Sequence, residues 1–255
     1  MMINLFRKIR QNLLMENKIG KYVKYAIGEI ILVVIGILIA LQINNWNEER
    51  KGNIKLTKAI QSVYSDLVSD SSLINQALPL VDQRNTVIAD ILKRSYATEA
   101  NLDSLVQIMK NEFPVRWYSS PAYNINTFTN LKSTGAFDVL PSEIKKPLSN
   151  YYTTMAFNED LNEKTLAQYR IHLDGFVKKY NIIGRLYDEN YNNSYLYNHT
   201  WTNIDSKDFT PRVAVLLASY SVLYRVAKTE LETNQKNIQE ILPLLQPYLN
   251  EYNND

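Results

Sequence analysis

Few side chains in this chain could do chemistry. Among its 255 residues are two histidines, His172 and His199, and no cysteine. Without thiols there are no disulfides, no thiolate metal sites and no cysteine nucleophile. A histidine-based metal site needs further ligands at defined spacing. His172 stands beside Leu173 in a helical stretch, and His199 has only Asp205 near it. No metal, no cofactor and no catalytic residue is therefore expected. The adjacent acids Glu159 and Asp160 would point to different sides of a helix, as a solvated surface does. No phosphate-cradling glycine loop and no nucleophile motif is present.

The better candidate for recognition is an aromatic and amide set. Tyr187, Tyr191, Tyr195, Tyr197 and Trp201 are interleaved with Asn190, Asn192 and Asn193. Rings and amides supply contact area and hydrogen bonds at little entropic cost, which suits sugars, peptidoglycan fragments or a protein partner. The same composition suits a long connection that merely covers one end of a bundle. Trp117, flanked by Arg116 and Tyr118 between Pro114 and Pro121, is a second candidate surface for the same end.

The elements that would position these residues begin with an apolar run. Ile30–Leu41 carries no charge, and Tyr25 and Trp46 bracket it 21 residues apart. At about 1.5 Å per residue the bracket spans roughly 32 Å, close to a hydrocarbon core of about 30 Å. Tyr and Trp suit the two interfaces. The expected arrangement is a single membrane-spanning helix over 22–46. Glu29, about one turn past Tyr25, reaches the interface near Lys21 and Lys24. Gly28, Gly36 and Ala40 share one stripe, a small-residue pattern that would let two copies dimerise through close helix approach.

Residues 1–28 carry six basic residues against the single acid Glu16, giving +5, whereas residues 30–255 carry −2. That asymmetry favours a cytoplasmic N-terminus and a large domain facing the periplasm from a bacterial inner membrane. Within residues 1–20, Met2, Phe6, Ile9 and Leu13 recur at helical spacing among Arg7, Lys8 and Arg10. This is an amphipathic segment for the lipid surface rather than a nucleic-acid arm.

Residues 47–250 read as helices. Leu56, Ile60, Val63, Leu67, Ile74, Ala77, Val81, Ile88 and Ile91 follow coiled-coil-like spacing, with Asp70 and Arg84 in the two missing places. Pro79 predicts a joint near 77. A short helix follows over 101–112, then a loop over 113–122, a helix over 123–133 stopping at Gly135, and a long helix N-capped by Ser142. Its seam, Leu148, Tyr152, Met155, Leu166, Tyr169, Leu173, Phe176, Tyr180 and Ile183, is interrupted at Glu159 and Asn162 by a polar layer or by a shift of the buried face. The pair Thr210-Pro211 predicts the start of the last helix, with Leu217, Tyr220, Tyr224, Ala227, Leu231, Ile238 and Ile241 as its stripe and Pro243 as its end or bend. No segment alternates with period two. The fold class is all-α, one transmembrane helix followed by an extracytoplasmic antiparallel bundle.

The stretch Tyr25-Ala26-Ile27-Gly28-Glu29-Ile30-Ile31-Leu32-Val33-Val34-Ile35-Gly36-Ile37-Leu38-Ile39-Ala40-Leu41-Gln42-Ile43-Asn44-Asn45-Trp46-Asn47-Glu48 resembles the anchor of a flavobacterial-type family of single-pass membrane proteins of unknown function. Leu131-Lys132-Ser133-Thr134-Gly135, with Tyr151-Tyr152 after it, resembles a second block of that family. The resemblance implies an anchor and a helical exported domain, and it supplies no activity. Two roles follow. The first is an envelope interaction module that binds an unidentified envelope protein. The second is a sensory input domain that signals through a separate partner, since about 24 residues on the basic side are too few for an output domain.

Overall fold

The structure is a computed structural model that describes residues 19–182 and 194–252. The amphipathic segment at 1–18, Ile183 at the end of the expected seam, and the candidates Tyr187 and Tyr191, with Asn190, Asn192 and Asn193, lie outside the described residues. Helices dominate, and there is no strand among the described residues.

The first helix, α1, runs from Ile19 to Ser95 without interruption. The chain divides into two units, up to Thr57 and from Lys58 onward. In the first unit the apolar run is uncovered, and Leu32, Leu38 and Ile43 are each more than half exposed. It is the one described helix long and apolar enough to cross a membrane.

In the second unit the seam of α1 is buried at Ile60, Val63, Leu67, Asp70, Ile74, Val81, Ile88 and Ile91. The joint expected at Pro79 does not form. Pro79 is exposed on the outer face, where water can take the carbonyl that its missing N–H leaves free. After α1 come α2 (Leu102–Gln107), a π-helical turn at Ile108–Glu112 and an extended segment over 113–125. Asn101 caps α2, accepting from the Ser104 N–H at 3.0 Å while its own N–H donates to Ser104 Oγ. Helix α3 (Asn126–Ser133) then ends on Gly135 at φ +72°, the left-handed turn expected there.

Helix α4 spans Ser142–Val177, with Pro141 rather than Ser142 in the capping position. The short α5 (Tyr195–Thr200) leads to α6 (Ser206–Tyr252). Helix α6 begins ahead of Thr210-Pro211, because Asp205 accepts from the Lys207 N–H at 3.0 Å and supplies the cap. It continues through Pro243 and Pro247, both exposed, for the same reason as at Pro79.

Side-chain pairings set the directions. On α1 and α6, Ser71 meets Gln235, Asp82 meets Lys228, and Asn85 meets the Tyr224 carbonyl. On α4 and α6, Glu143 meets Tyr248, Asn162 meets Glu230, and the Gly175 carbonyl meets Arg212. Helix α6 is therefore antiparallel to both, and α1 and α4 run parallel within this unit. Parallel neighbours need a long return, and residues 96–141 provide it.

Candidate functional site

The return path carries the site. An extended segment packed among helices has no ladder to satisfy its backbone, so its buried polar groups must find other partners. Here tyrosines supply them. The Tyr169 hydroxyl donates to the Val115 carbonyl at 3.0 Å, and the Tyr220 and Tyr224 hydroxyls donate to the Arg116 carbonyl at 2.9 and 3.1 Å. The same rings pack in the core, with Phe113–Tyr220 centroids at 5.2 Å and Tyr169–Tyr220 at 5.1 Å. Core packing, the sequence reading of these stripes, is thus half of their role.

Farther along the segment, buried carboxylates take over. Glu230 on α6 is 1 % exposed. Its Oε2 accepts from Ser120 Oγ at 2.9 Å and from Asn162 Nδ2, and its Oε1 accepts from the Tyr123 hydroxyl at 3.1 Å. Asp70 on α1, fully buried, accepts from the Asn124 N–H at 3.0 Å, from Asn124 Nδ2 at 2.7 Å and from the Tyr151 hydroxyl at 3.0 Å. Burial pushes both carboxyls above their ordinary range. The donors oppose the rise at each, while the Glu159 charge adds to it at Glu230.

A raised folded-state pKa means that the stabilising contribution is complete below the ordinary carboxylate value. It is lost as pH climbs through the raised one. Unfolding free energy measured by urea titration should therefore fall as pH rises above the ordinary carboxylate range. A Glu230→Gln/Asp70→Asn variant should show a flatter profile over that window. An identical slope in the variant would refute the assignment.

The polar track reaches the surface at one place. A cleft of about 210 Å³ lies between the extended segment and α4, lined by Tyr118, Ser120, Glu159, Asn162, Glu163 and Leu166. Asn162 forms its inner wall at 5 % exposure. The interruption of the α4 seam is therefore a polar layer, with Asn162 turned inward and Glu159 out in solvent. Glu230 and Asn234, both buried, escaped the sequence reading. Their signal was positional, because Glu230 lies beside Leu231 and Asn234 fills the gap between Leu231 and Ile238 in the α6 stripe. Among the described residues no group of three His, Asp or Glu is arranged to hold a metal.

The predicted aromatic surface separates into parts. Tyr197 and Trp201 are core residues, at 1 % and 8 % exposure. Tyr197 donates to the Lys110 carbonyl at 2.9 Å, and Trp201 packs near Tyr180 and Phe209. Only Tyr195 of the described tyrosines in that set is open, 78 % exposed and stacked on His199 at 5.1 Å. Trp117 is exposed too, with the Arg170 guanidinium 5.5 Å from its ring. Arg170 and Tyr180 are ten residues apart. Trp117 meets α4 at Arg170, whereas Trp201 packs past the end of α4, near Tyr180 and Phe209. Beside that cluster, Asp208 joins the ends of α4 and α6. It accepts from Lys179 at 2.8 Å, Tyr180 at 2.9 Å and Arg212 at 2.9 Å, which hold its carboxyl far below the usual range.

On α1, Tyr25, Ile30 and Trp46 are exposed. A Cβ built on Gly28 or Gly36 would meet nothing within 4 Å.

Comparison with known proteins gives one match. Residues 29–183 match a family of unknown function (DUF6090), a range that takes in the whole Ile30–Leu41 run and the cleft-lining segments. No curated protein and no solved structure matches the chain.

Proposed function

The chain belongs to this family of unknown function, and from that premise we propose that it is a membrane-anchored helical interaction module of the bacterial envelope. The observation that carries the reading is the uncovered apolar run on α1. Its side chains from Val23 to Trp46 include fifteen large hydrophobic residues left exposed, and leaving such a surface in water would be costly at about 25 cal/mol per Å². A bilayer satisfies it. The basic residues before the run favour a cytoplasmic N-terminus, with the bundle on the periplasmic side of the inner membrane. The bundle supplies a helical surface for an envelope protein partner, with exposed Trp117 and Tyr195 as anchor candidates. The stripe Gly28, Gly36 and Ala40 supports a homodimer in the membrane.

A phosphatase reporter fused after Asp255 should be active and the same reporter before Met1 silent. The reverse pattern would overturn the orientation. Crosslinking in intact membranes followed by identification of the captured protein tests for the partner.

The sensory reading is favoured by one observation. The apolar run and the Asp70 seam belong to a single helix, Ile19–Ser95, so one element could report a binding event to a separate output protein.

A further inference from the structure

We propose that the cleft between the extended segment and α4 is a binding site for an alkylammonium group, either a small primary amine or a lysine side chain. The proposal does not depend on the membrane anchor.

The walls are rich in acceptors. Glu159 and Glu163 stand four residues apart on α4, on one face of the helix, where like charges repel each other. Among the described residues no cation pairs with either, and the neighbouring Lys164 is engaged by Asp160 at 2.6 Å. No lysine or arginine lines the cleft.

The second observation is independent of the acids. Asn162, more than nine-tenths buried on the inner wall, has its Nδ2 engaged by Glu230 and by Ser120. Its Oδ1 has no hydrogen-bond partner. An unmet buried acceptor costs about 1–3 kcal/mol. A ligand that donates to Oδ1 relieves that cost, and a ligand that is also positive relieves the repulsion between Glu159 and Glu163. An ammonium group has three donors, no acceptor and one charge. Leu166 offers an apolar wall for the methylenes behind it. An anion would meet two uncompensated carboxylates. A divalent metal would need a denser carboxylate set than the described residues provide.

The test uses the full chain in detergent micelles, isotopically labelled for NMR. The probes are butylammonium and the peptide acetyl-Gly-Lys-Gly-amide. Butanol and the same peptide with an acetylated lysine serve as neutral controls. The expected result is a saturable shift of the Asn162 side-chain amide with the ammonium probes and none with the controls. Glu159→Gln combined with Glu163→Gln should weaken binding about tenfold, equal to about 1.4 kcal/mol. Both positions are exposed, so the fold should survive, and far-UV circular dichroism checks that it does. Tighter binding of the lysine peptide identifies a protein source, and equal or tighter binding of butylammonium identifies a small amine. Absence of a saturable shift with either ammonium probe, equal shifts from the neutral controls, or unchanged binding by the double variant overturns the proposal.

Discussion

Asp70→Ala should destabilise the helical unit by about 3–5 kcal/mol, because it strands three donors, one buried and two part-buried, at roughly 1–3 kcal/mol each. The donors are the Asn124 N–H, Asn124 Nδ2 and the Tyr151 hydroxyl, all directed at one carboxylate that has no access to solvent. No water can replace the lost acceptor without opening the core between α1, the extended segment and α4. Asp70→Asn should cost less than half as much. It keeps one acceptor oxygen, and burial already favours the neutral form at this position. Urea unfolding of the full chain in micelles, followed by circular dichroism, measures both. A loss within about 1 kcal/mol for the alanine variant would mean that Asp70 does not hold the segment.

The second large effect concerns the apolar run. Ile35 and Leu38 lie near its middle, one helical turn apart and both exposed. Arginine at a membrane centre costs about 2.5–3.5 kcal/mol, and a lost Ile or Leu adds about 0.5 kcal/mol. Ile35→Arg with Leu38→Arg should therefore oppose insertion by about 6–8 kcal/mol. After an alkaline wash of membranes the unaltered chain should stay in the pellet, and the variant should be lost from it by release or degradation. Retention of the variant at the unaltered level would show that this stretch is not the anchor.

The sequence conveyed some of this architecture and hid the rest. The seam from Ile60 to Ile91 was legible because a buried helix face repeats its residue type at fixed spacing, and Asp70 was visible as the place where that repeat failed. Asn162 was visible in the same way, although its spacing could not tell an inward polar residue from a rotated face. The start of α6 was misplaced because Thr210-Pro211 is a local signal, whereas Asp205 capped the helix earlier and exposed prolines do not stop one. The extended segment had no periodicity to read. Its partners, the Tyr169, Tyr220 and Tyr224 hydroxyls and Glu230, sit on helices 54 or more residues away in sequence. Those pairings depend on three-dimensional placement, so only the excess of tyrosine hinted at them. The Tyr197 and Trp201 rings were misjudged as surface because aromatic content alone cannot tell a paratope-like loop from a plug.

The fastening of the 113–125 segment restricts how it can change over evolutionary time. Each anchor reads a backbone carbonyl, a hydroxyl or an amide N–H at a set distance along the segment, from Val115 through Arg116 and Ser120 to Asn124. Val115 is buried in the core, whereas the Tyr220 and Tyr224 hydroxyls recognise a main-chain atom of Arg116, whose side chain is exposed, so the letter at 116 is free to drift. The number of letters is not. Inserting or deleting one residue between Val115 and Asn124 would put every later anchor out of step, and homologous chains should vary there in identity while keeping length.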